Sequence, residues 1–186
     1  MNLGADAVEL NLGCPNVVVG TGRKPIASLN LDVMGDILSR INVIVGKDAP
    51  IWVKVSPYSD PGLLTDAAGI VKEFPAIKAV AAINTFPSAY GLNGNGKSVI
   101  TVGLAGLSGR ALKHIGLGQI KQWHDALVDS GVNLIAVGGI SSGRDIEEYQ
   151  LLGADAFQMT TELLKGGDLD PRPFEKVAAE YLEVLA

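Results

Sequence analysis

Apolar residues fall into short runs separated by amphipathic stretches. Five runs, at residues 7–12, 51–56, 79–84, 133–137 and 156–160, are rich in Val, Ile, Leu and Ala and mostly apolar on both faces. That is the pattern of parallel strands covered by helices. Between them the period lengthens. Residues 31–45 place Val33, Ile37, Ile41 and Ile44 on one stripe, and residues 63–73 follow a Ser-Asp-Pro start. Further helices are predicted at 118–130, 142–152 and 174–185. The resulting order alternates strand and helix throughout, with one long Gly-, Asn- and Ser-rich loop at 85–112. Such alternation predicts an α/β fold with a parallel sheet and right-handed crossovers.

A short repeat supports the reading. Gly4-Ala5-Asp6-Ala7 precedes the first strand and Gly153-Ala154-Asp155-Ala156 precedes the last. Each Gly is placed to end a helix just before a strand begins. By this logic a helix belongs before residue 1.

Composition narrows the class. The chain has 186 residues, 47% hydrophobic and 19% charged, which suits one domain with a packed core. Its net charge of −5 argues against a nucleic-acid partner. One cysteine excludes an internal disulfide and fits a reducing, cytoplasmic setting. No window is apolar enough for a membrane span, and the start, with Asp6 and Glu9, does not read as a signal peptide.

In parallel α/β folds, reactive groups gather at the C-terminal ends of strands. Here those ends read Asn11-Leu12-Gly13-Cys14-Pro15-Asn16, Lys54-Val55-Ser56, Asn84-Thr85, Gly138-Gly139-Ile140-Ser141 and Thr160-Thr161. Lys54 lies within an apolar strand. Either it meets an anionic or hydrogen-bonding partner, or it snorkels to water from an edge position; spacing alone favours neither. A lone cysteine is usually a small buried hydrophobe. Cys14, though, is flanked by Asn11 and Asn16, as a proton-transfer group within a recognition site would be. Gly138-Gly139 before a helix offers backbone N–H groups to an anion, and Thr160-Thr161 after the neighbouring strand forms a companion loop. Both threonines also suit a strand for propensity alone. His114 and His124 read as surface residues, and no metal-ligand cluster is visible.

Taken together, VELNLGCPN, WVKVSPY, AAINTFP, AGLSGRAL, AVGGISSGRD and GADAFQMTT resemble the C-terminal part of the dihydroorotate dehydrogenases, in that family's order. Cysteine in the first motif resembles the soluble class 1 enzymes. The resemblance implies a (β/α)8 TIM barrel with FMN at its C-terminal mouth, oxidising dihydroorotate to orotate in pyrimidine biosynthesis. It implies Cys14 as general base and Asn11, Asn16, Asn84 and Thr85 around the substrate. Lys54, Gly106, Ser108 and Gly109 would face the flavin, and Gly138, Gly139, Thr160 and Thr161 its phosphate. A homodimer is implied for the full-length form.

Three features depart from the family. Ala105-Gly106 stands for its usual Gly-Gly, Thr160 for its usual Gly, and the segment 17–26 exceeds its usual loop. On this resemblance about five β/α units are expected, an incomplete barrel in one domain spanning 1–186, with the family's first three units absent. Two open edges and an uncovered inner face are expected to follow. Two other enzyme readings share parts of the pattern: pyrimidine-reducing FMN barrels, and tRNA dihydrouridine synthases, which the acidic charge disfavours. A non-catalytic half-barrel paired with another chain is the reading from a different class.

Overall fold

The computed structural model describes residues 4–14, 18–19, 22–46, 49–101, 103–165 and 169–185. Its centre is a five-stranded parallel sheet. In chain order the elements are β1 (Val8–Asn11), the two-residue strands β2 (Val18–Val19) and β3 (Gly22–Arg23), α1 (Leu31–Val45), β4 (Ile51–Val55), α2 (Pro61–Lys72) and β5 (Ile77–Ala82). There follow β6 (Phe86–Ala89), β7 (Ala105–Leu107), α3 (Lys113–Leu127), β8 (Asn133–Val137), α4 (Gly143–Leu151), β9 (Ala156–Gln158) and α5 (Arg172–Val184). The sheet order is β1-β4-β5-β8-β9. Every predicted strand and helix is present, as consecutive β/α units of a partial (β/α)8 barrel.

Local chemistry sets the helix starts. Asn30 caps α1 by accepting the Val33 N–H at 3.2 Å. Asp60 accepts from Gly62 at 2.8 Å, with Pro61 in the first turn of α2. Ser142 caps α4. Gly153 turns the chain out of α4 with φ of +97° and donates to the Gln150 carbonyl, as the repeat predicts.

The sheet has two faces. Val53, Val55, Val80, Ala82, Leu134 and Ala136 belong to the main core with Leu64, Ala68, Ile120 and Trp123 from α2 and α3. On the other face Ala79, Ala81 and Ile135 form a smaller cluster with Trp52 and Val137. That second face is concave. Gln158 on the edge strand β9 hydrogen-bonds Glu9 on the opposite edge strand β1 at 2.7 Å.

Three expectations need correction. On α1 the fully buried residues are Met34 and Leu38, while Val33 and Ile44 are exposed and Ile37 and Ile41 pack at the core's margin. The helix carries apolar residues on two adjoining stripes, and contact with α2 selected between them. Helix α3 begins at Lys113, five positions before the prediction, because a short 3-10 turn at Gly109–Leu112 leads directly into it. The long loop is structured: Phe86–Ala89 and Ala105–Leu107 pair as an antiparallel hairpin over the strand ends.

Candidate functional site

A cleft of about 280 Å³ opens at the C-terminal ends of the strands. Its walls carry Lys54, Asn84, Thr85, Ser108, Gly109, Gly138, Gly139, Thr160 and Thr161 together. Glu162, which follows Thr161 at the fifth strand end, lines it too, as do Arg110, Gln158 and Met159, which the strand-end pattern does not mark. Gln158 was the findable one, since strand alternation turns it to the same face as Lys54. Asn16 lies outside the described residues.

Beside this cleft, two asparagines fix the turn that carries Cys14. Asn11 Oδ1 accepts the Gly13 N–H at 3.1 Å. Asn84 Nδ2 donates to the Gly13 carbonyl at 2.6 Å and lies 3.4 Å from Asn11 Oδ1. Gly13 leaves no alternative packing: a Cβ there would stand 2.7 Å from the Ser56 nitrogen and 2.9 Å from Asn84 Cβ. Cys14 is half-buried with a free thiol. Asn84 is the bridge between the two regions, lining the cleft on one side and holding the Cys14 turn on the other.

Of the two readings open for Lys54, a paired ammonium and a snorkelling one, the structure shows the pair. Its ammonium donates to Gln158 Oε1 at 3.1 Å and lies 3.8 Å from Glu9 Oε1. It is neither an edge residue nor a snorkelling one: β4 is paired on both sides, and the side chain is 19% exposed.

The glycine loops fit an anion. Gly139 adopts φ of +68°, and a Cβ there would meet Lys113 Cβ at 2.8 Å and the Gly109 carbonyl at 3.0 Å. Only glycine lets the two loops approach so closely. Among the described residues, the N–H groups of Gly139 and Ile140 engage no carbonyl. Arg110 reaches Ser141 Oγ at the rim. Behind the loop, the Asp145 carboxylate accepts from Ser141 N–H at 2.8 Å, Ser141 Oγ at 3.0 Å and the Lys113 ammonium. Burial by itself would raise the Asp145 carboxyl; the bonds from Lys113, Ser141 and Ser142 outweigh it and hold the group down at about 2.

Gly106 makes its close approach to protein. A Cβ there would stand 1.9 Å from Thr85 Oγ1. Thr161 Oγ1 donates to Ser108 Oγ at 3.3 Å, joining the hairpin to the loop after β9. The Glu162 carboxylate is neutralised by Lys165 at 2.6 Å. The cleft thus offers two cations, free backbone donors and an apolar wall at Ile83, Val137 and Met159. That combination fits a ligand with an anionic head and a flat, partly apolar body.

Fold and cleft together define a run of β/α units from a (β/α)8 barrel, with an anion-suited site at its C-terminal mouth. The chain belongs to the dihydroorotate dehydrogenase family, whose sequence pattern matches residues 1–185. It is 30% identical over 182 residues to dihydroorotate dehydrogenase (fumarate) of Trypanosoma cruzi, covering 96% of this chain and 54% of that protein. The enzyme of the same name from Lachancea kluyveri is 32% identical over 180 residues, covering 95% of this chain and 54% of its own length. A crystal structure of DHODH from Eimeria tenella in complex with ferulenol gives a TM-score of 0.76 at 22% identity, covering 97% of this chain and 50% of that one. The chain therefore spans about half the length of the relatives it matches. No helix among the described residues is long and apolar enough to cross a membrane.

Proposed function

We propose that this chain supplies the cysteine-bearing, FMN-holding part of a class 1-like dihydroorotate dehydrogenase, oxidising dihydroorotate to orotate. The observation that carries the reading is the junction at Asn84, where the lysine-and-glycine cleft meets the clamped Cys14 turn. FMN bound in the cleft would supply the acceptor for the hydride that leaves C6 of the substrate. Cys14 is the general base that takes the proton from C5. Asn11, Asn84 and Thr85, with Asn16, orient the substrate's carboxylate and ring amides. Lys54 holds a positive charge toward the cofactor ring. Gly109, Gly138, Gly139, Thr160 and Thr161 form the phosphate seat, with Gly106 and Ser108 on the hairpin side.

The test is reconstitution of the chain with FMN, followed by anaerobic addition of dihydroorotate. Bleaching of the flavin band is expected, slowed about 10²–10⁴-fold in Cys14→Ser. Undiminished bleaching in that variant removes Cys14 as base. Faster bleaching by dihydrouracil moves the assignment to the pyrimidine-reducing barrels. A stable, flavin-free oligomer favours the non-catalytic half-barrel.

A further inference from the structure

Glu9 lies outside the mouth cleft. It lines a separate, open depression on the concave face toward the N-terminal ends of β1 and β4, with Asp6, Trp52 and Gln158. Gln158 and Lys54 line the cleft above. The three side chains form one polar chain across the sheet. Glu9 Oε2 accepts from Gln158 Nε2 at 2.7 Å, Gln158 Oε1 accepts from Lys54 Nζ at 3.1 Å, and Lys54 Nζ lies 3.8 Å from Glu9 Oε1.

The chain of bonds has a fixed sense. Only one orientation of the Gln158 amide puts its NH₂ on the carboxylate and its oxygen on the ammonium. An ammonium has three N–H groups. Gln158 engages one and Glu9 faces a second, so the last is left for the cleft that Lys54 lines. We propose that Glu9 is a positioning residue that acts through Gln158 to fix the Lys54 ammonium and to offset its charge. Resting on the flavin reading above, the consequence is that Glu9 lowers the reduction potential of the cofactor. Replacing its charge leaves the Lys54 cation uncompensated, which favours the more negative, reduced ring.

Two readouts test this on the full chain. The first needs no cofactor. An amine whose hydrogens are engaged by acceptors reacts slowly with acetic anhydride, so acylation of Lys54 is compared with that of exposed Lys121 by peptide mass spectrometry. Glu9→Gln and Gln158→Leu are expected to raise the Lys54 ratio at least threefold, with the circular-dichroism spectrum unchanged. An unchanged ratio in both variants overturns the proposal. The second readout is the midpoint potential of bound FMN. Glu9→Gln is expected to favour the reduced form about tenfold, a positive shift of about 30 mV for a two-electron couple. A purely structural residue would not move the potential in that direction, and a zero or negative shift overturns the electrostatic role. If the unaltered chain takes up no FMN, the functional reading fails, and the acylation result alone decides the role of Glu9.

Discussion

Asp145 is 2% exposed and gathers Lys113, Ser141 and Ser142 at the foot of the glycine loop. Its carboxyl is held at about 2 in the folded chain, well below the ordinary aspartate range. A depressed carboxyl stabilises the fold above its unfolded value, and that stability is lost as pH falls through the folded value. Between about pH 4 and pH 2 this group alone should therefore remove roughly 2 kcal/mol. Urea midpoints across that window are expected to fall more steeply in the unaltered chain than in Asp145→Asn, which has nothing to protonate there. Parallel pH slopes would contradict the assignment. A second prediction concerns Gly106. Gly106→Ala places a methyl group within 1.9 Å of Thr85 Oγ1, so Thr85 must move. FMN or inorganic phosphate affinity, read by fluorescence or calorimetry, is expected to fall about tenfold while Gly94→Ala, with no heavy atom near its Cβ position, leaves it unchanged. At this scale the sequence was partly legible. The strand marks Lys54 as a residue that either pairs or snorkels; that it pairs, with Gln158 at 104 residues' separation and with Glu9, depends on the curl of the sheet.

At the level of elements, the Cys14 turn is held by a buried polar relay. Ser28 donates its N–H to the Leu12 carbonyl at 2.9 Å, and its hydroxyl oxygen accepts the Ser56 N–H at 3.0 Å. Its carbonyl accepts the Tyr58 hydroxyl at 2.5 Å. Gln119 on α3 then brackets Tyr58, accepting its N–H and donating to its carbonyl, each at 2.9 Å. The loops after β1 and β4 are thereby tied to one another and to α3. Ser28→Ala leaves the Ser56 N–H buried without its acceptor, at a cost of about 1–3 kcal/mol. Chemical denaturation should show that loss, and alkylation of Cys14 by iodoacetamide is expected to quicken as the turn loosens. An unchanged rate would place the Cys14 turn outside this relay. None of this was visible in the sequence, where Ser28 and Gln119 are ordinary polar residues. Their meaning comes from tertiary burial, as does the choice between the two apolar stripes of α1. The alternation of strands and helices was legible because period 2 and period 3.6 are local. The pairing of Phe86–Ala89 with Ala105–Leu107 was hidden because Gly- and Asn-rich stretches carry little of either period.

For the whole molecule, curvature is the deciding property. β1 and β9 are separated by three strands, and at about 4.8 Å per spacing a flat sheet would hold them roughly 19 Å apart. The Glu9–Gln158 bond of 2.7 Å shows instead that the sheet curls as a barrel wall does. Curling does not pair the edges. Among the described residues the backbone of β1 pairs only with β4 and that of β9 only with β8. Val8 on β1 is 48% exposed, and Val43 and Ile44 at the end of α1 are 82% and 76% exposed. An open parallel edge bearing an exposed apolar side chain is a template for another strand, and exposed apolar residues elsewhere on the surface favour association. The 19.4 kDa chain is therefore expected to self-associate, with a sedimenting mass that rises with concentration. Backbone pairing and apolar contact are screened little by salt, so moderate salt should leave that rise in place. Val8→Lys puts a charge on the β1 edge and is expected to return the mass toward that of one chain without altering the helical content. A mass that stays monomeric at every concentration would mean that both edges are protected despite their single pairing, and that curvature alone suffices to keep a half-barrel from finding a partner.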